Sequence, residues 1–166
     1  MLSWLESTSL AVWLAESPSI WSLPTVLTLH TTGMAVLVGA SWVLDLRLLG
    51  IIRHVPLAAF RWVFPVIAIG LTVNLVTGVL LFAKNATTLG TAIPFLVKMG
   101  LVIASVATLM PIRSLVRSDA KERREGVPVD SVPAAAAHRR ARVLAIVSIL
   151  AWAGAVTAGR LLAYLV

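Results

Sequence analysis

The chain has no cysteine in 166 residues, one tyrosine, and seven acidic residues against fourteen basic ones. Without cysteine, no disulfide, thiolate metal site or covalent c-type haem attachment can be made through this chain. Only 13% of residues are charged, against roughly a quarter in soluble domains. There is no glycine-rich phosphate loop and no HExxH. No serine has a His/Asp setting that spacing supports, and no paired carboxylates fall within the apolar runs. These absences argue against a soluble-style hydrolase or nucleotide enzyme.

What is present is apolar: 59% of the residues are hydrophobic. Four runs, at about 20–44, 60–83, 91–112 and 141–165, reach the roughly 20 residues that a membrane crossing needs. None has the charged start and small-residue cleavage site of a signal peptide, so all four are expected to remain. Residues 2–17 mix Trp4, Leu5, Leu10 and Trp13 with Glu6, Ser7, Ser9 and Glu16, and stop at Ser17-Pro18. That pattern predicts an amphipathic helix lying along the bilayer surface, its tryptophans at headgroup level.

The net charge of +7 raises nucleic acid as a partner. Its placement excludes that reading, because the positive charge sits beside the ends of apolar runs. Arg47, Arg53 and Arg61 follow the first run. Arg113, Arg117, Lys121, Arg123, Arg124, Arg139, Arg140 and Arg142 lie between the third and fourth, while the middle connection has only Lys84. Basic loops face the cytoplasm, so both termini are expected outside. The segment 114–137, charged and then Pro/Ala-rich, reads as a cytoplasmic connector whose cations meet anionic lipid. Short connections predict an all-α antiparallel four-helix membrane bundle. Ala35 with Gly39, and Ala151, Ala155 and Gly159, give small-residue faces for close helix contact, within the bundle or in a homo-oligomer.

An ionisable residue deep in an apolar run is a functional-site hypothesis by default. His30 is the one histidine so placed. Counting from the outer ends, His30, Asn74 with Thr77, Lys98 with Met99, and Arg160 fall in one outer-half slab, at about 1.5 Å per residue. One polar group per helix at similar depth predicts a shared site. Lys98 and Arg160 can also snorkel to the surface, Asn74 can bond a neighbouring backbone, and His30 can be a structural histidine. Two cations without a buried acid at that depth call for an anionic ligand, such as haem propionates or, less directly, a quinone head group. Met34 shares the His30 face one turn on, and Met99 adjoins Lys98; each is an axial haem or Cu(I) ligand candidate as well as packing. His54 and His138 at the inner edge could meet as a metal pair or remain solvated. Asp45 is expected to pair with Arg113, Arg117 or Arg142 across helices.

The segments His30-Thr-Thr-Gly-Met-Ala35, Leu44-Asp-Leu-Arg-Leu-Leu-Gly50, Thr77-Gly-Val-Leu-Leu-Phe82, Phe95-Leu-Val-Lys98 and Gly159-Arg-Leu-Leu-Ala-Tyr164, in that order, resemble a family of small bacterial four-helix inner-membrane proteins. That family is similar in size and layout to cytochrome-b-like and copper-resistance-D-like membrane proteins. The resemblance places His30, Lys98 and Arg160 at motif positions. It leads one to look for a polar residue or histidine in the third run, where Met110-Pro111 stands instead.

Three functions follow as expectations. The first is a haem b-binding electron-transfer subunit between a quinone pool and a periplasmic redox partner. His30 is then the metal ligand, Met34 or Met99 a second one, and Lys98 with Arg160 hold the propionates. The second is a non-enzymatic accessory subunit of a larger membrane complex. The third is a small copper-handling transporter using His30 and the methionines.

Overall fold

In a computed structural model the described residues, 2–52, 54–125 and 135–165, are helical with short connections and no strands. Four helices are long and apolar enough to cross a membrane. In chain order the elements are α1 (Ser3–Glu6), α2 (Ser9–Glu16), α3 (Ser22–Leu49), a 3-10 helix (Leu57–Trp62), α4 (Val63–Lys84), α5 (Ala86–Leu89), α6 (Ile93–Arg124) and α7 (Ala135–Leu165).

The ends follow local chemistry. Pro24, Pro65 and Pro94 sit in first turns, where a missing N–H leaves no bond unmade. Helix α3 stops at Gly50, whose φ of 85° is left-handed. The N–H groups of Gly50 and Ile51 cap the carbonyls of Arg47 and Leu46. The 3-10 helix opens after Pro56, and Asp119 of α6 accepts the Ala58 N–H at 2.7 Å.

Two expected boundaries are corrected. The third apolar run does not give way to a loop at 114. Helix α6 continues to Arg124 because residues 113–124 are rich in Arg, Lys and Glu, good helix formers that need no lipid. At the far side α7 begins at Ala135. The remainder of the expected connector, with Pro128 and Pro133, lies outside the described residues. The segment 2–17 is two helices, since Thr8 is extended (ψ 143°) and interrupts the turn sequence.

Close contacts fix the helix pairs. In α3 and α4, a Cβ added at Gly70 would lie 2.9 Å from the Leu37 backbone nitrogen, and one at Gly33 would lie 3.3 Å from the Asn74 nitrogen. The two backbones therefore touch directly at these glycines. The expected contact face Ala35/Gly39 is not used inside the chain: both residues are exposed, and nothing approaches Gly39 within 4 Å. The expected face on α7 is used. Ala151 and Ala155 are buried, and Gly159 lies against the Lys98 stem of α6. Leu37, Leu44, Val63, Ile67, Ile112 and Trp152 fill the shared apolar core.

Helices α1 and α2 fold back onto the α4–α5 corner. Ala11 and Leu14 are buried, while Trp4 and Trp13 stay exposed. Glu6 Oε1 accepts the Thr87 N–H at 2.8 Å and the Thr87 hydroxyl at 2.7 Å. These two bonds hold the Glu6 carboxyl below its ordinary value of 4.5. A lowered folded value means the clip is at full strength above the unfolded value and is lost as pH falls through the folded one. The expected result is that hydrogen-exchange protection of the Thr87 amide drops on acidification below about 4.5. Glu6→Gln should make that protection pH-independent; an unchanged acid profile in this variant would show that another group controls it.

Candidate functional site

The part of the α3–α4 contact nearer the start of α3 carries a hydrogen-bonded set around His30. The ring Nδ1 lies 2.9 Å from Thr77 Oγ1, and Asn74 Nδ2 donates to the His30 carbonyl at 2.9 Å. The direct approach of the two helices at Gly33 and Gly70 makes these short side chains long enough to reach. Gly78 leaves room for the imidazole edge: a Cβ there would meet His30 Cε1 at 3.3 Å.

The bonds determine the tautomer. Thr77 Oγ1 also lies 2.6 Å from the Val73 carbonyl, which can only accept. A hydroxyl has one proton. Thr77 donates it to Val73, with the Asn74 carbonyl at 3.3 Å as a weaker acceptor. Only lone pairs then remain for His30, so Nδ1 carries the ring proton. In the neutral ring Nε2 therefore presents its lone pair. Nε2 makes no hydrogen bond among the described residues and is not enclosed.

The other residues singled out in the sequence divide into two groups. Asn74 and Thr77 come together with His30, while Lys98 makes no bond to the ring and lays its stem along Gly159 of α7. Met34 turns inward and packs against the apolar core. Met99 is part-buried on α6, and Arg160 is exposed on α7. Neither is bonded to the His30 set. His54 is exposed, and the His138 side chain lies outside the described residues. Among the described residues no three His, Asp or Glu side chains converge as a metal-binding group.

A second polar cluster was not foreseen as such. Asp45 is 0% exposed, and its Oδ2 accepts the Ser148 hydroxyl of α7 at 2.7 Å. This corrects the expected arginine pairing: Arg113, Arg117 and Arg142 are exposed to solvent instead. Arginine is expensive to desolvate, whereas serine delivers a donor at almost no volume. Asp45 Oδ1 and the Nε1 of Trp152, itself 1% exposed, have no hydrogen-bond partner among the described residues. The sequence signal was the spacing of Ser148 and Trp152, four residues apart and hence on one face of α7.

The His30 set fits one part of a haem site. An axial histidine usually has its second nitrogen tied to an acceptor, which fixes ring orientation and tautomer, and Thr77 does this here. A cation for a propionate is at hand in Lys98. A second axial ligand is not brought to His30 among the described residues. A cleft lined by Arg61 and Arg113 lies elsewhere, toward the opposite end of α6. Comparison of the chain with protein-family profiles, with curated proteins and with solved structures gave no match in any of the three.

Proposed function

We propose that this chain is a multi-pass subunit of the bacterial inner membrane, an antiparallel bundle of four spans with both termini periplasmic, that holds haem b through His30 and passes electrons between the quinone pool and a periplasmic partner. The membrane part of this reading rests on an inverted distribution of side chains. Large apolar residues such as Ile69, Leu75, Ile103 and Leu150 are on the outside, while Ser41, Asp45, Ser105, Thr108 and Ser148 are inside. A soluble protein of this size does not expose so much continuous apolar surface. Lipid removes the penalty, and interior hydroxyls bond their own helix, as Ser41 does to Leu37 and Ser105 to Leu101.

The haem part is carried by one observation, the position of Thr77 Oγ1 at 2.6 Å from the Val73 carbonyl and 2.9 Å from His30 Nδ1; the hydroxyl's single proton is then used on Val73, which assigns the ring proton to Nδ1 and the lone pair to Nε2. A quinone carbonyl needs a donor, which that nitrogen does not offer; a metal ion needs the lone pair. Bound haem would supply a one-electron iron couple. His30 would hold the iron, Thr77 and Asn74 would keep the ring and its backbone in place, and Lys98 would neutralise a propionate. With Met34 packed against the core, any further ligand to bound haem would come from another subunit of a homo-oligomer or larger complex.

A reduced-minus-oxidised visible spectrum of the detergent-purified protein from its native host should show b-type α and Soret bands. His30→Ala should abolish them. Thr77→Val, which fills the same volume without an acceptor, should weaken haem retention about 10- to 100-fold, and Thr77→Ser should restore it. A Soret band in His30→Ala equal to that of the unaltered protein would remove the assignment.

One observation favours the accessory-subunit reading. Thr77 and Asn74 satisfy His30 with no ligand at all, so the set also works as interhelical glue. A featureless spectrum from cells supplied with haem would decide for it. Copper handling has less support, because Met34 faces away; a copper stoichiometry near zero after loading with Cu(I) would remove it.

A further inference from the structure

At the end of the molecule away from His30, five cations surround one cleft. Arg113, Arg117, Lys121 and Arg124 come from α6, at spacings of four, four and three that place them along one face. Arg61 closes the other side from the 3-10 helix. None of the lining residues is acidic, and the cleft volume is about 410 Å³. That lies within the range of small-molecule sites, roughly 300–1,000 Å³.

We propose that this cleft binds the phosphate of an anionic phospholipid headgroup. The first argument is charge. Like charges four apart on a helix destabilise it, and here they are repeated and joined by a fifth from another element. A surface contact of Lys121 with Glu125 at 3.8 Å relieves part of this among the described residues. A bound phosphate offsets the rest and is the natural partner of convergent guanidinium groups. The second argument is preorganisation: the Arg113 guanidinium lies 5.9 Å from the centre of the Phe64 ring, which positions it beside the cleft wall.

The third argument identifies a lipid rather than a soluble anion, and it rests on the membrane reading above. Arg113 is twenty residues after Ile93, so it lies about 30 Å along α6 from the start of that helix, one hydrocarbon thickness away. The cleft thus opens where the bilayer's inner headgroups would be. Next to its lining residues in the chain stand exposed apolar side chains: Trp62, beside Arg61, is 64% exposed, and Met110, one turn before Arg113, is 78% exposed. A headgroup in the cleft would leave its chains against that surface. Basic pockets between spans on the cytoplasmic side are the recurrent setting for such headgroups.

The test is native mass spectrometry of the full chain in neutral detergent, titrated separately with phosphatidylglycerol, phosphatidylcholine and sodium phosphate. Saturable retention of phosphatidylglycerol over phosphatidylcholine is expected. Arg113→Gln with Arg117→Gln should weaken it about 30-fold, and lysine at both positions should restore most of the loss. The control pair Arg139→Gln with Arg140→Gln removes equal charge from exposed positions outside the cleft and should leave retention nearly unchanged. Equal losses in the two glutamine pairs would mean a diffuse field and overturn the site. Equal retention of the two lipids overturns it as well, and saturation by phosphate without lipid preference overturns the lipid assignment. Extraction of the native membranes with alkaline carbonate reports on the membrane reading separately: release of the protein would defeat that reading whichever lipid is retained.

Discussion

Gly70→Ala is expected to lower the stability of the protein in detergent by about 2 kcal/mol, and Gly70→Val by more. The added Cβ would lie 2.9 Å from the Leu37 nitrogen and 3.1 Å from the Gly33 oxygen. Both are backbone atoms, so no rotamer change makes room, and α3 and α4 must separate. Separation would lengthen the Asn74 bond to the His30 carbonyl and the His30–Thr77 bond, which span the same contact. Under the proposed function, haem retention should therefore fall together with stability. Gly39→Ala is the matched control. It adds the same methyl to the same helix type in open space, and helix propensity predicts no loss or a gain of up to about 1 kcal/mol. Chemical or thermal unfolding of the two variants separates the close-approach account from a general intolerance of side chains. Equal destabilisation would sink the former.

The second large effect is at Asp45. Ser148→Val should cost about 2–3 kcal/mol, the range for losing a hydrogen bond to a group that stays buried and can find no water. Asp45 has no other bond to fall back on, because Oδ1 is already without a partner. Asp45→Asn preserves shape and the Ser148 contact and should change stability by less than about 1 kcal/mol. Combining Asp45→Leu with Ser148→Ala should be less damaging than the sum of the single changes, since removing both polar partners leaves nothing stranded. Additive losses in that cycle would show that the Oδ2–Oγ contact contributes little.

The four long apolar helices were legible because apolar runs of that length have few alternatives. Their ends were not. Residues 113–124 carry no hydropathy signal, and their helical continuation comes from backbone propensity and from Asp119 docking on the 3-10 helix. Depth along each helix, set by a fixed rise per residue, put His30 level with Asn74 and Thr77, which bond it, and equally with Met99 and Arg160, which do not. Rotation about each helix axis was not accessible in the same way. Met34 shares a nominal face with His30, but a difference of 40° in azimuth turns it to the core. The same limit hid the helix contact. Ala35 and Gly39 have the familiar spacing, yet Gly33 and Gly70 make the approach, because which stripe meets a neighbour depends on the partner's surface. For Asp45, charge pairing pointed to arginine. Burial selected a serine instead, and that choice depends on a packing environment no single sequence displays.

The Glu6–Thr87 clip joins residues 81 positions apart. A ribosome has therefore completed the first two long helices before the acceptor has its donor. Until then the face carrying Ala11 and Leu14 has no α4 to cover it. The amino-terminal pair of helices is thus a late fastener, set after the hairpin it closes, and a tag or truncation at that end should leave insertion of the hairpin intact while removing the last step of its assembly.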